Sequence, residues 1–351
     1  MGLTLFFLTS GLFLGWSLGA NDAANVWGTA VATHMVKFRK AALVCSIFVI
    51  IGAVVSGAGA SHTVGKLGAI GTLAGAFTVA LSAALTVYWM TTLALPVSTT
   101  QAIVGAIIGW DLFSRTKIDY NALLKVFGSW VFSPVLTAFF AFIIYKITVL
   151  FLSRSKMHLI KQDYYTRALL ILVGAFGSYS LGANNIGNVM GVFIKSAESA
   201  FPVFKIGNLF TFTGVQHLFL LGGLAIALGV FTYSKKVMLT VGAHIYKLSP
   251  VSALIVVLSS SIVLFLFASQ SLKLFLTSRG LPSFPLVPVS SSQSIVGGVL
   301  GVGLAKGGGR NINYRILGKI SAGWIATPLI GMLVSFILLF IIQNVFAQQV
   351  F

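Results

Sequence analysis

The amino-acid sequence predicts an all-α polytopic membrane protein made of two repeats, with broken helices and re-entrant hairpins. Three observations support this fold class. Of the 351 residues, 57% are hydrophobic and only 8% are charged, whereas a soluble domain carries roughly 25% charged residues. Apolar runs of helical length recur along the chain, and the short alternating segments typical of a membrane β-barrel do not. Finally, three motifs occur twice in the same order, which indicates an internal duplication.

The first duplicated motif is SLGANDAANVWG at 17–28, which returns as SLGANNIGNVMG at 180–191. In each copy a glycine and two asparagines interrupt an apolar run of membrane-spanning length. Lipid cannot satisfy free backbone groups, so such a break is tolerated only where it lines a cavity. Paired breaks at corresponding places in two halves indicate the central site of a transporter. We therefore expect broken helices at 17–28 and 180–191, in a secondary transporter.

The helix that leads into the first motif carries glycines at four-residue spacing, Gly11, Gly15 and Gly19. The second copy keeps this pattern of small residues. Small residues on one face of a membrane helix allow another backbone to approach closely. We therefore predict a close helix crossing along this face in each half.

The second duplicated motif is PVSTTQAIVGAIIG at 96–109 and PVSSSQSIVGGVLG at 288–301. About 13 apolar residues follow the polar start, which is short for a full span, so each copy predicts a re-entrant hairpin. A third pair, WVFSP from Trp130 and WIATP from Trp324, predicts helix packing and a kink. The copies of the second motif are further apart than those of the first, which predicts an insertion within 193–279.

The motifs divide the chain into a first repeat at 1–152 and a second repeat at 168–351, joined by a basic linker at 153–167. The linker carries four basic residues and one acid, so the positive-inside rule predicts that it is cytosolic. The halves are inverted if each crosses the membrane an odd number of times and parallel if that number is even. The short hairpins leave the number of crossings open. The apolar run at 3–18 lacks a preceding basic residue and is expected to be mature structure.

The chain carries a formal net charge of +18, from 23 Lys and Arg against 5 Asp and Glu. These basic residues could steer an anionic solute, or could fix topology and contact anionic lipid from the loops. The second interpretation is favoured, because the basic residues cluster in candidate loops. No soluble basic surface with stacking aromatics is visible in the sequence, so a nucleic-acid partner is not expected.

The first two pairs of motifs supply the polar atoms of the expected site. Amide and carboxylate oxygens are hard ligands that suit a small cation. Hydroxyls and backbone N–H groups at the start of a helix suit an oxyanion. The expected Na⁺ ligands are Asn21, Asp22, Asn25, Asn184, Asn185 and Asn188. The expected oxyanion ligands are Ser98, Thr99, Thr100, Gln101, Ser290, Ser291, Ser292 and Gln293, with the N–H groups of Ala23 and Gly187, where the broken helices would restart.

No Lys or Arg occurs in the segments that hold these motifs, which are 1–36, 67–114, 168–194 and 280–305. A divalent oxyanion there would have no cationic side chain to neutralise it, and desolvating it uncompensated would be prohibitive. HPO₄²⁻ and Asp22 together carry three negative charges, so about two or three cations, helped by helix dipoles, would balance them. Na⁺ is favoured over H⁺, because Asp22 is the only proton-relay residue in the four motifs.

GANDAAN, GANNIGN and the twinned PVS[ST][ST]Q hairpins resemble the inorganic phosphate transporter (PiT) family, close to its sodium-dependent bacterial and archaeal members. The resemblance implies inverted-topology repeats, a scaffold and a mobile transport domain, and a homodimer. It also implies symport of inorganic phosphate with Na⁺ or H⁺ and no other cofactor. We expect a multi-pass protein of the plasma (inner) membrane that works by alternating access in the lipid bilayer.

The chain departs from the family pattern at three places. Asn185 stands where many members have Asp, Gln101 and Gln293 stand where many have His, and His62 stands where members resembling the mammalian ones have Glu. The loss of titratable groups favours sodium coupling. Two alternatives remain: a proton-coupled phosphate or sulfate permease of the same family and, in another class, an anion channel. An enzyme is not expected, since the motifs hold no nucleophile–His or metal-ligand constellation.

Overall fold

The computed structural model describes residues 2–68, 70–92, 97–155, 157–206, 210–241, 248–308 and 314–351. In the described part of the first half, all the regular secondary structure is helical. It contains α1 (Gly2–Ala32), α2 (Phe38–Ser56), α3 (Ala58–Gly68), α4 (Leu73–Thr92), α5 (Thr99–Ser114) and α6 (Tyr120–Arg154).

The second half repeats this order with additional elements. Its helices are α7 (Leu159–Met190), α8 (Ile194–Ala197), α9 (Gly214–Thr232), α10 (Ser234–Thr240), α11 (Pro250–Ala268), α12 (Gln270–Ser278), α13 (Ser291–Gly307) and α14 (Tyr314–Asn344). Two antiparallel strands, β1 (Phe204–Ile206) and β2 (Phe210–Phe212), pair with Lys205 opposite Thr211.

Eight of the described helices are long and apolar enough to cross a membrane. Four lie in each half: α1, α2, α4 and α6 in the first, and α7, α9, α11 and α14 in the second. The outer faces of α6 and α14 expose apolar side chains such as Val131 and Ile325, at 70% and 69%. Exposed apolar faces on long helices suit contact with lipid acyl chains. The structure is therefore the polytopic helical membrane protein that the composition predicts.

The broken helices predicted at 17–28 and 180–191 are wrong. Both α1 and α7 run without interruption through the polar residues of the motif, and a 3₁₀ turn at Gly191–Phe193 begins where the second copy ends. Each backbone N–H inside these helices is paired with the carbonyl four residues earlier. The polar residues are tolerated for another reason, because their side chains meet polar partners on other helices rather than lipid.

The motif glycines provide space for neighbouring backbones instead of breaking the helices. A Cβ at Gly19 would overlap the carbonyl oxygen of Ile226 in α9, and a Cβ at Gly182 would overlap that of Val49 in α2. The close crossing predicted from the glycine spacing is thus confirmed. The two halves are interlocked, because α1 packs on a helix of the second half and α7 packs on a helix of the first.

The short helices α5 and α13 also pack across the two halves. Gly105 of α5 lies against the carbonyl of Pro328 in α14, and Gly297 of α13 lies against the carbonyl of Pro134 in α6. These prolines belong to the third duplicated motif, so its predicted packing role is confirmed. Each half therefore holds the short helix of the other against its own long C-terminal helix.

The predicted insertion in the second half consists of two pieces. One is the segment from α8 to β2, which lies between α7 and α9, and the other is α12, which lies between α11 and α13. The linker predicted at 153–167 is mostly helical, since α6 ends at Arg154 and α7 begins at Leu159. Arg167 of α7 donates from Nη1 to the carbonyls of His34 and Met35, at 3.2 and 3.0 Å, and so ties α7 to the end of α1.

Candidate functional site

The tips of the two short helices are built by serine N-caps. Ser98 Oγ accepts a hydrogen bond from the Gln101 N–H at 3.3 Å, and Ser290 Oγ accepts one from the Gln293 N–H at 3.2 Å. Serine is a favoured N-cap because its short side chain reaches back to a free N–H of the first turn. The remaining first-turn N–H groups have no acceptor within their own helix and carry the positive end of its dipole.

These helices begin inside the protein rather than at its surface. The capping serines are 2% and 1% exposed. With 16 residues in α5 and 17 in α13, each helix is about 24–26 Å long at 1.5 Å per residue, which is short of the bilayer core. Short helices that start at a buried polar tip agree with the prediction of re-entrant segments. Pro96, the first residue of the predicted hairpin at 96–109, lies outside the described residues.

The first GANDAAN motif faces the tip of α13. Asp22 Oδ2 accepts a hydrogen bond from Ser291 Oγ at 2.8 Å. Asn25, one turn further along α1, donates from Nδ2 to the same Ser291 oxygen at 3.2 Å. A carboxylate, an amide and a hydroxyl from opposite halves of the chain therefore meet in one cluster.

The second motif contacts both tips. Asn188 Nδ2 donates to Thr100 Oγ1 at the start of α5, at 2.9 Å, and Asn184 Oδ1 accepts from the backbone N–H of Val289 at 3.1 Å. Thr100 Oγ1 in turn donates to the Val289 carbonyl at 3.4 Å. The tips of α5 and α13 thus lie side by side, with α7 bridging them.

All fourteen side chains predicted to bind the oxyanion or Na⁺ are buried. The most exposed is Asn25 at 8%. Within the hydrogen bonds and ion pairs of the described residues, none joins these side chains to a Lys or Arg. The cluster is therefore a deeply buried polar site without a cationic side chain, as the charge distribution predicts.

Several buried atoms of this cluster have no hydrogen-bond partner among the described residues. Four of them are oxygens that can only accept, Asp22 Oδ1, Asn188 Oδ1, Gln101 Oε1 and Gln293 Oε1. Leaving such an atom unsatisfied costs about 1–3 kcal/mol. Unsatisfied oxygens beside helix N-termini fit a site that takes cations together with an anion.

The amide nitrogens of two predicted sodium ligands bond to partners that were not predicted. Asn21 donates from Nδ2 to Thr91 Oγ1 of α4 at 3.2 Å, and Asn185 donates to the Leu181 carbonyl of its own helix at 3.2 Å. Asn185 Oδ1 still reaches the cluster, because it accepts from Asn188 Nδ2 at 2.9 Å. Thr91 was not predicted, although a hydroxyl shortly before the hairpin motif is a signal that could have identified it.

The two backbone donors predicted at Ala23 and Gly187 are wrong. Both residues lie inside continuous helices, where their N–H groups bond to the preceding turn. Gly187 serves packing, since a Cβ there would come within 2.8 Å of the Ser61 Cα in α3. Free N–H groups are instead found at the starts of α5 and α13. His62, predicted as a departure from the family, lies in α3, but its side chain is outside the described structure.

A buried polar site shared by two interlocked halves, with eight candidate spans among the described helices, is the arrangement expected of a membrane transporter. The chain belongs to the phosphate transporter family, whose profile matches residues 18–278 and 280–350. Proteins of this family are transporters, so the chain is a transporter and not an enzyme, as predicted.

Individual relatives match nearly the whole chain. A protein of Methanocaldococcus jannaschii named "Putative phosphate permease" is 28% identical over 326 residues, which cover 93% of both chains. The sulfate permease CysP of Bacillus subtilis is 26% identical over 332 residues, which cover 93% of this chain and 84% of the relative. A solved structure described as "The sodium-dependent phosphate transporter" superposes with a TM-score of 0.75 at 24% identity. It covers 98% of this chain and 99% of its own, which supports the fold.

Proposed function

We propose that the protein is a symporter that carries inorganic phosphate with Na⁺ by alternating access, as a homodimer in the plasma membrane. The observation that carries this proposal is the pairing of two capped helix N-termini with unsatisfied carboxylate and amide oxygens, in a site that lacks cationic side chains. The N-termini suit the anion, and the oxygens suit Na⁺. The sodium-dependent protein of similar fold supports the choice of coupling ion.

The two kinds of ligand lie on different elements. We assign phosphate to the helix tips, where the N–H groups of the first turns and the side chains can donate: Ser98, Thr99, Thr100, Gln101, Ser290, Ser291, Ser292 and Gln293. We assign Na⁺ to the oxygens of the duplicated motif: Asn21, Asp22, Asn25, Asn184, Asn185 and Asn188. Asp22 Oδ1 and Asn188 Oδ1 are the strongest of these, since both lack a partner in the described structure.

Charge balance couples the two cargoes. A phosphate dianion beside Asp22 places three negative charges in a buried site, so about two or three Na⁺ ions are needed to keep the desolvation cost low. Because neither cargo is stable there alone, each raises the affinity of the site for the other. This mutual requirement is what links phosphate uptake to the sodium gradient.

The interlocked halves support alternating access. Each half contributes one short helix to the shared site and one long helix that packs on the short helix of the other half. If the repeats are inverted, the protein can adopt two equivalent conformations that open the site to opposite sides of the membrane. The cavity on the α1 side of the site, next to Asn25 and Thr29, has a volume of only about 10 Å³. That volume is about enough for one water molecule, and Thr29 beside it is 8% exposed, so solvent has little access to the site at these residues.

Radiolabelled phosphate uptake into proteoliposomes, with Na⁺ and H⁺ gradients imposed separately, tests the proposal. We expect saturable uptake that requires inward Na⁺ and persists without a pH gradient. Uptake driven by the H⁺ gradient alone would indicate proton coupling, and flux that does not saturate would indicate an anion channel.

Sulfate is the second candidate substrate, because the Bacillus subtilis relative is named a sulfate permease. Sulfate carries no proton at neutral pH, whereas HPO₄²⁻ has one P–OH donor that needs an acceptor. The amide oxygens of Gln101 and Gln293 are unsatisfied acceptors next to the tips, and this favours phosphate. Unlabelled sulfate in excess should therefore compete weakly with labelled phosphate.

A further inference from the structure

A second polar cavity lies outside the central site. It is a cleft of about 330 Å³ between α3, the start of α6, the start of α12 and the segment that precedes α13. Its polar lining comes from seven side chains: Thr63, Lys66, Lys125, Lys273, Asp119, Asn121 and Gln270. The central site has no Lys or Arg, whereas this cleft has three.

The cleft is positively charged. Three ammonium groups face one carboxylate, and none of the three lysines forms an ion pair in the part of the chain that the structure describes. Asp119 is occupied as the N-cap of α6, because its Oδ1 accepts from the Ala122 N–H at 3.0 Å. The helix starts of α6 and α12 both border the cleft and add partial positive charge. The excess of about two positive charges matches a phosphate dianion.

The segment that precedes α13 connects the cleft to the central site. Leu286 and Val287 line the cleft, and the Leu286 carbonyl is held by Thr63 Oγ1 of α3 at 2.6 Å. Two residues further along, the Val289 N–H bonds to Asn184 of the central cluster. The same short segment therefore borders the basic cleft at one end and the site at the other. On the α1 side, by contrast, the cavity is only about 10 Å³.

We propose that this cleft is a separate binding site for a phosphate-bearing dianion, held by Lys66, Lys125 and Lys273, with Asn121 and Gln270 as hydrogen-bond donors. This inference rests on the proposed function, since it makes the cleft an antechamber of the central site. Lys66 and Lys125 are exposed and hydrated, so they bind the anion loosely and without Na⁺. The anion then exchanges lysine for Na⁺ as its counter-charge when it moves inward.

Removing the three lysine charges tests the antechamber. The Lys66→Gln, Lys125→Gln, Lys273→Gln triple variant should raise the KM for phosphate uptake about tenfold and leave the maximal rate nearly unchanged, because the field of the cleft raises the local anion concentration. A matched control removes three exposed lysines elsewhere on the chain, by Lys40→Gln, Lys161→Gln and Lys236→Gln. An equal KM change in both variants, or no change in the first, would overturn the proposal.

The occupant can be free phosphate or the phosphate headgroup of an anionic lipid, and lipid composition separates the two. In vesicles of phosphatidylcholine alone, a free-phosphate site should give the same tenfold difference between wild type and triple variant. A difference that arises only when phosphatidic acid is added would assign the cleft to a lipid headgroup, because the phosphomonoester of phosphatidic acid has the same chemistry as inorganic phosphate.

Direct binding separates this inference from the proposed function. In a Gln101→Ala, Gln293→Ala variant with a weakened central site, ³¹P NMR titration with inorganic phosphate should still detect weak binding that needs no Na⁺. That signal should disappear when the three lysine substitutions are added. If the Na⁺-independent binding survives them, the cleft is not the site. If transport does not depend on Na⁺ while the lysine-dependent binding remains, the proposed sodium symport is wrong, but the cleft is still a phosphate-binding site.

Discussion

Asp22 is the residue on which the proposed sodium site depends most. One of its carboxylate oxygens accepts from Ser291 at 2.8 Å, while the other has no partner among the described residues. A carboxylate that is 1% exposed is costly unless a positive charge neutralises it. Because no cationic side chain is bonded to it, we infer that Na⁺ supplies that charge.

The Asp22→Asn substitution should abolish Na⁺-stimulated phosphate uptake and weaken Na⁺ affinity by more than about tenfold. An amide keeps the shape and can still accept from Ser291, so the effect isolates the charge. Uptake in proteoliposomes and calorimetric Na⁺ titration measure it. Asp163→Asn, at an exposed carboxylate on α7, is the control and should behave like wild type. Full Na⁺-dependent uptake by the Asp22 variant would remove Asp22 from the sodium site.

The glutamines at the helix tips should act on the other cargo. Gln101→Ala and Gln293→Ala each remove a buried side-chain amide beside the phosphate ligands, so each should weaken phosphate binding by about 1–3 kcal/mol, or roughly 5- to 150-fold. Na⁺ affinity should change less, and titration calorimetry with each ligand separates the two. Gln348→Ala, at an exposed position, serves as the control. A larger loss of Na⁺ than of phosphate affinity would reverse the assignment.

At this scale the sequence predicts which residues are buried together but not how they pair. The motif asparagines and the tip hydroxyls are buried together, as their duplication indicates. The partner of Asn184 is the backbone of Val289, and that of Asn21 is Thr91, a residue outside the motifs. Such contacts join distant parts of the chain. The position of Thr91 before the hairpin motif indicates a polar role, but neither spacing nor residue type reveals which side chain it contacts.

The helices explain why one structural prediction failed. Glycine and asparagine in an apolar run can break a helix or can sit on a continuous helix that packs closely against polar partners. The sequence pattern is the same in both cases, and tertiary contacts decide between them. Here the glycine at position 19 lies against Ile226, and Asp22 and Asn25 meet Ser291, so the helix stays continuous. The free N-termini belong to α5 and α13 instead.

The exchanged packing of the short helices predicts a stability effect. Gly105→Ala and Gly297→Ala would each place a methyl group against a proline carbonyl of the facing helix. Overpacking of this kind typically costs about 1–3 kcal/mol, which should lower the thermal unfolding midpoint of the purified protein. Gly128→Ala in α6 is the matched control, since a Cβ there meets nothing within 4 Å. It should leave stability unchanged or raise it, because alanine favours the helix more than glycine does.

Equal thermal midpoints for Gly105→Ala, Gly297→Ala and Gly128→Ala would show that the crossings are looser than described. The close crossings would then contribute little to holding the two halves together.

In the whole molecule, the duplication is the feature that the sequence predicts best. The helices of the second half follow the order of those in the first, and the additional elements α8 to β2 and α12 lie within 193–279, where the insertion is predicted. The packing of each short helix against the long C-terminal helix of the other half was not predicted. Repeated motifs show that the two halves are alike, but they do not show which helices contact each other. The inverted orientation of the repeats remains an implication of the family resemblance.

Alternating access predicts that the two sides of the site open in turn. Cys45 is buried, so a Cys45→Ala background allows single reporter cysteines to be placed at Asn121 in the cleft and at Thr29 on the closed side. Without substrate, a membrane-impermeant thiol reagent should modify the Asn121→Cys variant and spare the Thr29→Cys variant. Na⁺ with phosphate should raise the reactivity at Thr29 and lower it at Asn121. The exposed Ser153→Cys variant controls for reagent access, and simultaneous reactivity at both sites would indicate a channel.

The central claim is that a buried dianion is held by neutral dipoles and neutralised by co-bound Na⁺. The most direct test is the phosphate affinity of the purified protein, measured by calorimetry across a series of Na⁺ concentrations at constant ionic strength. The account predicts that the logarithm of phosphate affinity rises with the logarithm of Na⁺ concentration, with a slope of about two or three. A phosphate affinity that does not change with Na⁺ would contradict it.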